Sequence, residues 1–149
     1  MRDYTITVIE KLIETCRDGQ AGFLEAAEYT GNSELKAFFS RQSLQRGKFA
    51  AELESVARNL GWTDSERSPS VAGKLHRAWI ELRHKMGGGD VRVLESVENG
   101  EHNARNDYQE ALHAGLPADV QSVIERQAES VFAAHELVRT LQDVYKSAA

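Results

Sequence analysis

Apolar residues recur at helical spacing through four long stretches of this chain, and two of the three connections between them are very short. This constrains the fold more than any other feature, because an apolar stripe along a helix needs a facing surface to cover it. The periodicity predicts a first helix over about residues 3–29, with Ile6, Ile9, Ile13, Cys16, Phe23 and Ala27 inward. A second spans about 34–60, with Leu35, Phe38, Phe39, Phe49, Leu53, Val56 and Leu60 inward. A third spans about 90–113, with Leu94, Val97, Ala104, Tyr108 and Leu112 inward. The fourth spans about 118–146, with Val120, Val123, Ile124, Val131, Val138, Leu141 and Tyr145 inward. No alternating strand pattern interrupts them.

The connections set the topology. Thr30-Gly31-Asn32-Ser33 separates the first two helices, with Gly31 as a C-cap and Asn32 or Ser33 as the next N-cap. Gly115-Leu116-Pro117 separates the last two. Each pair is therefore an antiparallel hairpin. The middle connector is long and carries its own helical pattern over about residues 71–86, with Val71, Leu75, Trp79, Leu82 and Met86 at helical spacing. Gly87-Gly88-Gly89 stops that pattern, and Asp90 is placed to cap the third long helix. Such a helix covers roughly 22 Å, enough with its flanks to run the length of a bundle. Two hairpins joined by one long crossover is the topology of ferritin-like four-helix bundles. The expected fold is all-α, with residues 1–149 forming a single domain.

Composition narrows the partners. The net charge of −5 leaves no cationic excess to displace counterions from nucleic acid. No apolar run reaches the length of a membrane span, and the N-terminus lacks the apolar core of a signal peptide. One cysteine, Cys16, excludes an intramolecular disulfide and a cysteine-based zinc cluster. These features lead us to expect a soluble, cytoplasmic protein. Trp62 and Trp79 flank or lie on the crossover and should pin it to the bundle, leaving some surface for a partner subunit. We expect a homo-oligomer, with a dimer as the simplest form.

Polar residues interrupt every stripe. Gln20 falls at the centre of the first, Gln42 and Arg46 at the centre of the second, Glu101 within the third and Gln127 within the fourth. Gln20 and Gln42 each lie about eleven residues from the first turn, and Glu101 and Gln127 each about a dozen from the second, so each pair should meet at one height. We therefore expect a polar layer of Gln20, Gln42, Gln45, Arg46, Glu101 and Gln127 inside the bundle. An isolated buried charge costs several kcal/mol, on the order of 5 or fewer, so Arg46 and Glu101 should pair. The glutamines can donate and accept around them.

Asp18-Gly-Gln-Ala-Gly-Phe, Gly61-Trp, Leu75-His-Arg-Ala-Trp79 and Asn99-Gly-Glu-His102 resemble an uncharacterised bacterial family of ferritin-like four-helix bundles across nearly the whole chain. The resemblance implies the bundle and carries no activity. Ferritin-like di-iron centres use a Glu from two helices and Glu-x-x-His from the other two. Here Gln20 stands at one Glu position, and Gln42-Ser-Leu-Gln45 and Gln127-Ala-Glu-Ser130 at the Glu-x-x-His positions, which leaves Glu101 as the acidic match. Neutral glutamines are poor ligands for iron or manganese, and Arg46 places a positive charge beside them.

Outside the layer, Glu98 and His102 have a chelating i,i+4 spacing, but His102 points away from the stripe. His135 sits at the stripe margin, where a hydrogen bond to a neighbouring helix is the expectation. His76 and His84 on the crossover should be surface residues, and Cys16 a small buried hydrophobe. The sequence thus leads to a non-enzymatic bundle without a cofactor, an interaction or stress-associated module with a degenerate metal site. The alternative is an iron- or manganese-binding oxidoreductase or storage protein, with an atypical centre around Glu101 and with Glu98, His102 and His135 as further metal candidates.

Overall fold

A computed structural model of the chain describes residues 2–63 and 89–148. They form four helices: α1 (Arg2–Tyr29), α2 (Ser33–Asn59), α3 (Gly89–Leu112) and α4 (Ala118–Ala148). The all-α four-helix bundle is the architecture that the periodicity predicts. The predicted crossover helix over about 71–86, with His76, Trp79 and His84, lies outside the described residues.

The turns follow from local chemistry. Asn32 is the N-cap of α2, its side-chain oxygen accepting from Glu34 N and Leu35 N. Gly31 was the expected C-cap of α1, but the described glycines with left-handed φ are Gly61, Gly89 and Gly115. Thr30 closes the turn instead, its hydroxyl accepting from Asn32 N. Asp90 does not cap α3. It lies in the first turn, and its carboxylate accepts from the Thr30 hydroxyl at 2.6 Å and Gly31 N at 3.0 Å. At the other end of α2, Gly61 at φ 97° allows Trp62 N to reach Ala57 O and Gly61 N to reach Arg58 O. This paired closure satisfies the last carbonyls of the helix. It also turns Trp62 inward, where the indole donates to Glu10.

Side-chain pairs fix the helix directions. Lys11 meets Glu110, Thr15 meets Asp107 and Thr30 meets Asp90, so α1 and α3 are antiparallel. Glu52 meets Arg126 near one end of α2, whereas Leu35 and Phe38 share a groove with Leu141 and Tyr145 near the other, so α2 and α4 are antiparallel too. Helices α2 and α3 are therefore parallel and diagonal. Trp62 lies at the end marked by Glu10, and Asp90 at the end marked by Thr30. The chain between residues 63 and 89 thus links opposite ends of the bundle.

The core divides into two apolar clusters. One gathers Ile9, Leu12, Ile13, Leu53, Tyr108 and Ile124 with their neighbours. The other gathers Phe23, Phe39, Leu94, Val97 and Val138. Between them on α1 lie residues 17–22, on α2 residues 40–48, on α3 residues 98–103 and on α4 residues 132–137. Polar chemistry concentrates at this level. No described helix is long and apolar enough to cross a membrane.

Candidate functional site

At the centre of the polar level Arg46 and Glu101 face each other from the two diagonal helices. Nη1 donates to Oε2 at 2.8 Å and Nη2 to Oε1 at 2.5 Å. Their side chains are 1% and 3% exposed. This is a bidentate fork, the strongest form of the pair. Burial opposes the charge on Arg46, but the Glu101 carboxylate more than offsets it and holds the guanidinium above its ordinary basicity. The guanidinium also lies 5.3 Å from the Phe23 ring centre, over the face of the apolar cluster. Gly19 makes room for it: a Cβ there would come within 3.1 Å of Arg46 Nη1.

The other members of the expected layer separate. Gln127 is fully buried but does not sit level with Glu101. Pairing across the α3–α4 hairpin runs from Tyr108 to Gln127 and from Glu98 to His135. Glu101 is therefore level with residues 132–134, between one and two helical turns beyond Gln127. Counting equal steps from the turn misplaces Gln127, because the two helices do not enter that turn symmetrically. Gln20, Gln42 and Gln45 are half-buried instead of central. Gln20 accepts from Arg17 Nη1 and lies against Gly47, where a Cβ would come within 2.7 Å of its amide nitrogen. Gln42 buries Oε1 without a protein partner.

Gln127 belongs to a chain of hydrogen bonds across all four helices. Tyr108 OH donates to Gln127 Oε1 at 2.7 Å, which leaves the Cys16 thiol, 3.0 Å away, to donate to the phenol oxygen. Gln127 Nε2 donates onward to Glu52 Oε1 at 2.7 Å and to Phe49 O. Arg126 neutralises Glu52 at the surface. Burial pushes the Cys16 thiol up to about 11 and raises Tyr108 as well, so both donors stay protonated. A second ion pair, Arg17 to Glu54 at 2.5 Å, buries the Glu54 side chain to 7% exposure. Sequence reasoning missed Glu52 and Glu54. They flank Leu53 as solvated residues would, and nothing in the stripe marks them.

A separate cluster lies on the α3–α4 seam. His135 is buried, and its Nε2 is 2.9 Å from Glu98 Oε1. His102, one turn along α3 from Glu98, is exposed, but its ring centre is 6.1 Å from that of His135. One donor atom from each of Glu98, His102 and His135 lies within 4.8 Å of the others. Glu101 is not part of this group. His135 Nδ1 faces Arg105 Nη1 at 3.5 Å, and the same nitrogen of Arg105 meets Glu136 at 3.3 Å.

Beside the Arg46–Glu101 pair, Gly19, Gly22, Phe23, Val97, Gly100 and Ala104 line a cleft of about 120 Å³ between α1 and α3, with Asp18 and Asp107 at its edge. The small residues explain its existence, since no side chains fill the seam there.

No curated protein matches this chain. Residues 4–114 match a family described as "Domain of unknown function (DUF2383)", a span that takes in α1 from its third residue, α2 and α3, and with them the Arg46–Glu101 pair. The chain belongs to the DUF2383 family.

Proposed function

We propose that the protein is a non-enzymatic, ferritin-like helical bundle that acts as an interaction or stress-associated module, with its central level closed by charge pairing. The observation that carries this reading is the Arg46–Glu101 fork. A di-iron or di-manganese centre needs several free carboxylates projecting inward. Here both oxygens of Glu101 accept from Arg46, and the guanidinium occupies the space beside them. The residues at this level do not fit a dinuclear centre. The alternative of an atypical iron or manganese site around Glu101 would first require that fork to open.

The interaction role draws support from α4. Among the described residues, Leu137 and Val144 are 45% and 56% exposed. With the half-buried Leu141 and Tyr145 they line a groove against Leu35 and Phe38 of α2. An apolar stripe of this kind suits a second copy of the chain.

Two measurements test the reading. Protein grown with ample iron and manganese should hold neither at its core. Two such ions per chain retained by a His102→Ala variant, which is unaltered at Glu101, would overturn the non-enzymatic reading. Sedimentation equilibrium should give a dimer that Leu137→Glu with Val144→Glu converts to a monomer. A monomeric wild type removes the self-association.

A further inference from the structure

Glu98 and His102 project from one face of α3, four residues apart, toward His135 on α4. A buried histidine with a carboxylate partner explains the 2.9 Å contact between His135 and Glu98. It does not explain His102. That side chain is exposed and free to extend into water, but its ring lies against the same pair. We propose that Glu98, His102 and His135 form a mononuclear site for a borderline divalent transition metal of the Zn²⁺ class. The site lies off the bundle axis and is independent of the closed central level, so it stands whether or not the functional reading above holds.

The donor set carries the choice of metal. Two imidazoles and one carboxylate suit borderline cations and not Mg²⁺ or Ca²⁺, which take oxygen ligands. Three protein ligands leave a fourth, open position for water, as in sites that are not purely structural. Zinc ligands at about 2.0–2.1 Å in a tetrahedron stand roughly 3.3 Å apart. The Glu98–His135 pair is already closer than this, and the outer limit of 4.8 Å in the group leaves a short movement. His102 is the residue able to make it, because its side chain is exposed and reaches another staggered rotamer without displacing the core.

The surroundings define what must change. Arg105 can only donate, so His135 Nδ1 accepts from it and Nε2 carries the hydrogen that Glu98 accepts. When the metal takes Nε2, that proton moves through solvent to Nδ1, and Arg105 swings to its other partner, Glu136. The metal then ties α3 to α4 through one buried and two more accessible ligands.

The test is a titration of the full chain with Co²⁺, read by its visible absorption, followed by competition with Zn²⁺. One Co²⁺ per chain is expected, displaced by Zn²⁺, with a rise in Tm on loading. His102→Ala, an exposed change that leaves the core intact, should weaken binding roughly tenfold or more. His135→Ala should do the same, and circular dichroism of both variants should match wild type. His113→Ala, whose imidazole is near Gln109 O at the far end of α3, should bind as wild type does. Absence of saturable binding at micromolar metal overturns the proposal, as does binding that survives His102→Ala unchanged.

Discussion

Arg46 and Glu101, on diagonally opposed helices and 55 residues apart in sequence, meet through two hydrogen bonds with both side chains almost wholly buried. Such a pair is asymmetric in its energetics. Its attraction roughly balances the desolvation of both ions, but either ion alone is left uncompensated. Glu101→Leu and Arg46→Met should each destabilise the fold by about 3–5 kcal/mol. The double replacement Arg46→Met with Glu101→Leu should recover most of that loss. Urea denaturation of the three variants measures the coupling, and additive single and double effects would contradict it.

Tyr108 links the Cys16 thiol to Gln127. Tyr108→Phe keeps the ring and removes the hydroxyl, so two buried polar groups lose their partner at once. A loss of about 1–3 kcal/mol is expected. Gln127 keeps its bond to Glu52 and limits the damage. A neutral result in thermal or chemical unfolding would mean that the chain of bonds contributes little.

Cys16 gives an alkaline signature. Its ordinary value is 9.0, and burial raises it to about 11 in the folded chain. The unfolded chain therefore releases the thiol proton first as pH rises. The contribution to stability is full below pH 9.0 and is lost by about 11, where the folded thiol ionises too. The loss is on the order of 2–3 kcal/mol. Cys16→Ser should flatten this part of the stability curve. For the same reason native Cys16 should resist thiol reagents at pH 8, to be checked by comparing labelling before and after unfolding.

Arg105 stands beside the three-residue cluster as a competing cation and as a hydrogen-bond donor to His135 Nδ1. If the cluster binds a divalent metal, Arg105→Gln should tighten it several-fold, because a positive charge is withdrawn from the neighbourhood of another. Calorimetric titration of Zn²⁺ into wild type and variant checks the direction. Weaker binding in the variant would show that Arg105 supports the ligands.

Much of the architecture was legible because it depends on periodicity and turn residues. The stripe of α1 from Ile6 to Ala27 and the cap at Asn32 need no knowledge of distant partners. The buried charges were also visible, since Arg46 and Glu101 break apolar stripes in which a lone ion could not remain. The contacts themselves were less accessible. The register between α3 and α4 depends on how each helix enters the turn at residues 113–117, and a small asymmetry there puts residues 132–134 level with Glu101, where Gln127 was expected. His102 was judged by its angle to the stripe, but the stripe describes burial and not reach. An imidazole on the rim can still meet a neighbour on the adjacent helix. Glu54 was missed for a related reason, because its partner, Arg17, lies on the other helix of the hairpin and leaves no mark near residue 54.

Several buried polar contacts described above are shared between the two halves of the chain. Cys16 bonds to Tyr108, Arg46 to Glu101, Glu52 to Gln127 and Thr30 to Asp90, each with one partner before residue 64 and the other after residue 88. Each hairpin can close through local contacts, which form quickly. Neither can satisfy its own interior. A ribosome that has delivered only the first hairpin has exposed Arg46 without its carboxylate. The protein is thus finished only when the second hairpin arrives, and the ion pair at the centre acts as the check that the two halves have met in register.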